Sequence, residues 1–253
     1  MLDLDGVSLA FGGIKAVNDV TVQVPEGMCF GLIGPNGAGK TALLNCISGV
    51  YRPAGGEIRF RGRPLNGLAP DVISALGIGR TFQSMEQFEQ FLVVDYLLIS
   101  RTRELSRSST LAALRWPPVI RRERAEKHRA METLEALGLE THAQDRLSEV
   151  PYGTQKLIDI ARVLCSDATF VLLDEPTSGT TSSERPGISK ALDFLLGGER
   201  TVVVVDHDVD FVTRHADRVA ALDQGRLIAQ GTSREVMADP VVRRIYLGLV
   251  HDA

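Results

Sequence analysis

GPNGAGKT at residues 34–41, directly behind the apolar run CFGLI at 29–33, decides how this chain is read. It fits the phosphate-binding pattern GxxxxGK[ST], and the helix-like ALLNCISG that follows completes the strand, loop and helix context the pattern needs. Within Gly34, Pro35, Asn36, Gly37, Ala38 and Gly39 the three glycines let the backbone curl close to phosphate oxygens. Successive N–H groups and the start of the next helix then form a nest for an anion. Lys40 is placed to neutralise β- and γ-phosphate oxygens, and the Thr41 hydroxyl suits Mg²⁺. The implied ligand is a nucleoside triphosphate with its magnesium.

The bulk composition is that of an ordinary globular chain. Its 253 residues, 44% of them apolar, can bury a sizeable core, either as one large α/β domain or as a core with a smaller subdomain. A formal charge of −4 offers no electrostatic argument for nucleic-acid binding. Cys29, Cys46 and Cys165 are far apart, flanked by apolar residues and without metal-ligand spacing, so they read as small core residues in a reducing compartment. No apolar stretch reaches the roughly 18 to 20 residues needed to span a bilayer, and MLDLDGVSLA at 1–10 carries acid where a signal peptide carries base. A cytoplasmic chain is expected, with docking to a membrane partner left open.

Short β-rich runs at 2–10, 20–24, 28–33 and 57–61, separated by turn formers, make the N-terminal part mostly strand. From about 89 to 147 the chain turns rich in Arg and Glu, and Met131, Leu134 and Leu137 fall at helical spacing, which predicts a helical insert. The basic run Arg121, Arg122, Arg124, Lys127 and Arg129 reads as a solvated helix face, the alternative being a contact surface. Strand-like runs rich in apolar residues return at 169–173 (TFVLL) and 201–205 (TVVVV), as in a parallel sheet covered on both faces, and a shorter strand pattern at 218–222 (RVAAL).

Binding a triphosphate is not hydrolysing it; hydrolysis also needs a carboxylate to organise metal and a group to orient water. In FVLLDEP at 170–176 an apolar strand ends on Asp174 and Glu175, at the carboxyl edge of the sheet where ligands of open α/β sheets bind. Asp174 suits the magnesium shell, and Glu175 suits a general base for the attacking water.

With these segments in order, the chain resembles the ATP-binding subunits of ABC transporters over about residues 2 to 248. The resemblance implies that TFQ at 81–83 is the Q-loop, with Gln83 touching the metal and coupling nucleotide state to a membrane partner. It implies that VDHD at 205–208 is the switch segment, with His207 contacting the γ-phosphate and holding Glu175 and water in line. Phe11 takes the place of the aromatic that stacks on adenine, the alternative being a hairpin core residue. The family signature LSGGQ corresponds to Pro151, Tyr152, Gly153, Thr154 and Gln155, at a helix start that should face the γ-phosphate bound by an opposite subunit. Here Tyr152 stands for the serine and Thr154 for the second glycine. In the loop after Glu175, Thr181 stands where the family carries an Asp or Asn that joins the two sites of a dimer, and it brings no charge.

The implied fold is a P-loop NTPase, RecA-like α/β core with an antiparallel β subdomain and a helical subdomain at about 89–165, all within one nucleotide-binding domain over 1–253. Within the family the likeness is to ATPases of branched-chain amino acid importers, which share the long helical insert, a Tyr-Gly signature and an ending like DPVVRRIYLG at 239–248. Implied with it are ATP and Mg²⁺, a second cassette subunit, membrane permease subunits, an extracytoplasmic solute-binding protein acting indirectly, and a place on the inner face of the cell membrane. Two rivals keep the same motifs: a cassette for another solute or lipid, and a soluble assembly ATPase without a permease. A DNA-repair ATPase does not fit, because only 134 positions separate Lys40 from Asp174, too few for a long coiled coil.

Overall fold

The computed structural model describes residues 1–82, 84–101 and 117–247, and the chain divides into two compact units. The first comprises residues 1–80, 169–178 and 196–253. In it β1 (Leu2–Phe11) and β2 (Ile14–Val24) form a hairpin, and β1 also pairs antiparallel with β4 (Gly55–Phe60), which pairs with the short β5 (Arg63–Pro64). Alternation along β1 puts Leu2, Leu4, Val7 and Leu9 on the buried face, as a strand covered on one side requires.

The second sheet of this unit is six-stranded. β3 (Cys29–Ile33) lies at its middle, between β8 (Thr201–Val205) and β9 (Arg218–Asp223), and β7 (Phe170–Asp174) and β6 (Ile78–Arg80) continue outward from β8. These five run parallel; β10 (Arg226–Gly231) pairs antiparallel with β9 at the far edge. Every residue of β3, β7 and β8 is buried, which is why their sequences run apolar without alternation. α1 (Lys40–Ile47) follows β3, and Leu43, Leu44 and Ile47 join Phe30, Leu172 and Val203 and the buried face of the antiparallel sheet in one apolar cluster. α2 (Pro70–Ala75) precedes β6, and the three cysteines are buried and free.

The strands expected at the centre of the sheet form where the sequence places them, whereas the edge strands carry weaker patterns. β6 is three residues long and β10 only half-buried, so neither carries a periodic apolar signal, and β2 begins at Ile14 rather than at residue 20.

The second unit comprises residues 81–168 and 179–195 and is helical. α3 (Val93–Ile99), α4 (Pro117–Leu137) and α5 (Tyr152–Cys165) pack on one another, with Tyr96, Leu97, Leu134 and Ile158 fully buried. Arg121, Arg122, Arg124, Lys127 and Arg129 are exposed on α4, which suits either a solvated face or a contact surface. α6 (Arg185–Gly197) carries Pro186 in its first turn, where a helix has no use for the missing N–H. The first unit closes with α7 (Val209–His215), α8 (Ser233–Ala238) and α9 (Pro240–Leu247).

Candidate functional site

The loop between β3 and α1 is held by its surroundings as much as by its own glycines. At Gly39 the backbone stands at φ 97, a region disfavoured for side chains, and a Cβ there would collide with the Ala16 carbonyl. At Gly34 a Cβ would come within 2.5 Å of the Leu222 carbonyl oxygen. Ala38 accepts a hydrogen bond from the Gly225 N–H at 3.0 Å, so the β9–β10 turn braces the loop from outside. Gly39 caps α1 without any side-chain hydrogen bond, which leaves the first N–H groups of the helix for an anion.

Lys40 is only 5% exposed, and its Nζ donates to the carbonyls of Gly34 at 2.6 Å and Pro35 at 3.0 Å. Burial pulls its pKa below the ordinary range, while the charges of Glu175, Asp174 and Asp206 pull it back up. A buried ammonium lying along an uncapped helix start suits a polyanion whose charge offsets its desolvation.

Asp174, 2% exposed, ends β7 beside that helix start. Its Oδ1 is 3.5 Å from the Thr41 hydroxyl, and its Oδ2 is 2.9 Å from Nη2 of Arg80. Among the described residues no group of three or more His, Cys, Asp or Glu could hold a metal as a protein cage. A hydroxyl and one carboxylate are instead the hard-oxygen set that suits Mg²⁺ sharing its shell with phosphates and water. Glu175, next along the chain, has φ 50, and its N–H donates to the Val205 carbonyl at 2.7 Å, which fixes it between the ends of β7 and β8.

Across from it, Asp206 is fully buried and accepts from the Thr177 N–H at 2.9 Å and hydroxyl at 2.7 Å. Its other oxygen accepts from the Asp208 N–H at 3.0 Å and lies 3.4 Å from Nδ1 of His207, whose side chain is 55% exposed. Asp208 in turn caps α7, accepting from the Phe211 N–H at 3.0 Å. The segment carrying His207 is therefore pinned on both sides while its imidazole stays accessible. Phe11 is 49% exposed at the tip of the first hairpin and meets Tyr51 edge to face at 5.1 Å. It is not the hairpin core residue that its sequence equally allowed.

The signature residues Tyr152, Gly153, Thr154 and Gln155 lie in the other unit and form the first turn of α5. Tyr152 is exposed, and its ring would meet a Cβ at Gly179. Gln155 Nε2 donates to the carbonyls of Leu147 and Val150 at 2.9 and 2.8 Å, so its side chain holds the entry to the helix. Thr181 donates from both its N–H and its hydroxyl to Glu184 at 2.8 Å, a local turn ahead of α6. Gln83 lies outside the described residues; Phe82 beside it has its N–H at 2.5 Å from Oδ2 of buried Asp159, which also accepts from the Tyr96 hydroxyl at 2.7 Å.

Sequence reasoning missed Arg80, Tyr51 and the two aspartates flanking His207. Only Asp208 had a local signal, an acidic residue just ahead of an apolar helical stretch.

The ABC transporter family profile matches residues 17–178, and that of the branched-chain amino acid ATP-binding cassette transporters matches 226–252. The high-affinity branched-chain amino acid transport ATP-binding protein LivG of Salmonella typhimurium is 37% identical over 254 residues, covering 98% of each chain. Its counterpart BraF of Pseudomonas aeruginosa is 34% identical over 250 residues, again 98% of each. The zinc transport system ATP-binding protein TroB of Treponema pallidum is 30% identical, over 98% of this chain and 88% of its own. Among solved structures, a nucleotide-free ATP-binding cassette from an ABC transporter superposes with a TM-score of 0.83 at 27% identity, covering 98% of this chain and 99% of its own. One in its ADP conformation gives 0.83 at 28%, with the same coverage.

Proposed function

Because this chain belongs to the ABC transporter family, as one of its ATP-binding ATPase subunits, we propose that it powers the import of branched-chain amino acids. The observation that carries the reading is the meeting, in one unit, of the uncapped α1 start, buried Lys40 and the Asp174–Glu175 pair at the end of β7. The solute class rests on the names of relatives aligned over 98% of both chains and on the match at 226–252. A zinc transport ATP-binding protein is also 30% identical over 98% of this chain, which supports assigning solute choice to partner subunits.

In this reading the loop from Gly34 to Thr41 binds the triphosphate, Lys40 neutralises its β- and γ-oxygens, and Phe11, with Tyr51 beside it, stacks on adenine. Magnesium, when bound through Thr41, Asp174 and Gln83, supplies charge neutralisation at the phosphates. Glu175 takes a proton from the water that attacks the γ-phosphorus, the bond to the ADP oxygen breaks, and His207 orients water and phosphate. The first turn of α5 on a second subunit, Tyr152 to Gln155, closes over the same γ-phosphate, so ATP favours the closed dimer and phosphate release opens it.

The whole chain acts as a single nucleotide-binding domain, with its helical subdomain at about 89–165. Among the described residues no helix is long and apolar enough to cross a membrane, which accords with a peripheral subunit docked on permease subunits at the cytoplasmic face. A solute-binding protein reaches it only through them, and nucleic acid has no part.

The test is purification from membranes in mild detergent. A permease should co-purify, and vesicles containing the assembly should move labelled leucine, isoleucine or valine only with Mg·ATP on the cassette side. Movement of zinc or lipid instead would reassign the solute, and a stable soluble partner with no permease would favour an assembly ATPase.

A further inference from the structure

Arg80 joins three parts of the nucleotide-binding unit that the family motifs do not join. It ends the edge strand β6, its Nη1 lies 2.6 Å from Oδ1 of Asn45 on α1 and 2.8 Å from the Ser48 hydroxyl, and its Nη2 lies 2.9 Å from Oδ2 of Asp174. The Ser48 hydroxyl donates to the Leu44 carbonyl at 2.9 Å, so its lone pair is turned toward the guanidinium. Asn45 and Ser48 already tie β6 to α1. The contact with Asp174 does something further: it occupies one carboxylate oxygen and leaves the other, Oδ1, facing Thr41 at 3.5 Å.

We propose that Arg80 is a positioning residue of the magnesium–nucleotide site: by holding Oδ2 of Asp174 it keeps Oδ1 aimed at the Thr41 hydroxyl, where the ion's shell is received. The inference rests on the reading of Asp174 and Thr41 as magnesium-side groups given above. A planar fork suits this work, because one guanidinium nitrogen engages α1 while the other holds the carboxylate, a geometry that lysine's point charge lacks. Partners of this kind set ligand orientation without touching the ion.

Calorimetric binding of a non-hydrolysable ATP analogue, with and without Mg²⁺, tests it. The wild-type chain should bind more tightly with Mg²⁺. Arg80→Met should shrink that magnesium-dependent gain by about tenfold or more, the usual effect of losing a partner behind a metal ligand, and leave magnesium-free affinity unchanged. Arg80→Lys should recover part of the gain. A gain equal to or larger than wild type's, or affinities that fall in parallel with and without the ion, would overturn the proposal. Should Arg80→Met fail to fold, Asn45→Ala keeps the arginine charge but loosens its anchor; it should shrink the gain in the same sense, and an unchanged gain sinks the idea. A wild-type chain with no magnesium-dependent gain would instead strike the underlying reading of Asp174 and Thr41.

Discussion

At Glu175 the backbone adopts φ 50, a left-handed conformation that costs a non-glycine residue roughly 1–3 kcal/mol and that a packed structure must hold in place. The N–H bond to Val205 and the Ser178 N–H donating back to the Glu175 carbonyl at 3.2 Å are what hold it. That conformation lifts a carboxylate off the end of β7 beside the phosphate loop. Glu175→Gln is expected to keep nucleotide affinity while lowering phosphate release by about 10²-fold or more, measured by binding and single-turnover assays; an unchanged rate would remove it as the base. Lys40 sets function against stability. Lys40→Met should abolish nucleotide binding yet shift the denaturation midpoint little, because it removes the burial cost of the ammonium together with its bonds to the Gly34 and Pro35 carbonyls. Glu175 and Lys40 were legible from their neighbours in sequence. Arg80 was not, because the carboxylate it holds is 94 positions away.

Elements matter here through how they begin. α1 begins uncapped, which leaves its N–H groups for phosphate, whereas α7 is capped by Asp208 and has no such spare capacity. Replacing Asp208 with Ala should cost about 1 kcal/mol in chemical denaturation, the ordinary worth of an N-cap, and should loosen the segment that carries His207. In the helical unit, α3 and α5 are joined by Asp159, which accepts from the Tyr96 hydroxyl and from Nε of Arg162 at 2.8 Å, with the Arg162 guanidinium 4.2 Å from the centre of the Phe82 ring. Tyr96→Phe leaves a buried carboxylate short of one donor and should cost about 1–3 kcal/mol; a change below a few tenths would show that Arg162 and the Phe82 N–H suffice without it. Apolar runs made the strands at the sheet centre readable, since burial on both faces demands them. Short or half-covered edge strands such as β6 and β10 leave no such mark.

Over the whole molecule the buried thiols, with buried Tyr96 and half-buried Tyr246, weigh against folding at alkaline pH. Burial raises Cys29 from 9.0 to about 12 and Cys46 from 9.0 to about 11, so both stay protonated in the folded chain while the unfolded chain ionises near its ordinary value. The folded state then binds more protons, and stability falls as pH rises through this window; Lys40, lowered by burial, works in the opposite sense toward its ordinary 10.5. The denaturation midpoint should drop above about pH 9, and a Cys29→Ala, Cys46→Ala chain should show a shallower drop; parallel curves would refute the assignment. Thiol reagents should leave both cysteines unmodified until the fold opens. By itself the sequence determined the phosphate loop, the acidic pair and the central strands, because each is a contiguous run whose backbone geometry and burial follow from adjacent residues. Only the tertiary structure decided that Arg80 stands behind Asp174, that Asp206 reaches back 29 positions to Thr177, and that Phe11 is exposed beside Tyr51. The first two partnerships exist because the parallel strand order lays distant strand ends side by side at one sheet edge, and the third because the antiparallel hairpin carries Phe11 to Tyr51, proximities that no local pattern encodes.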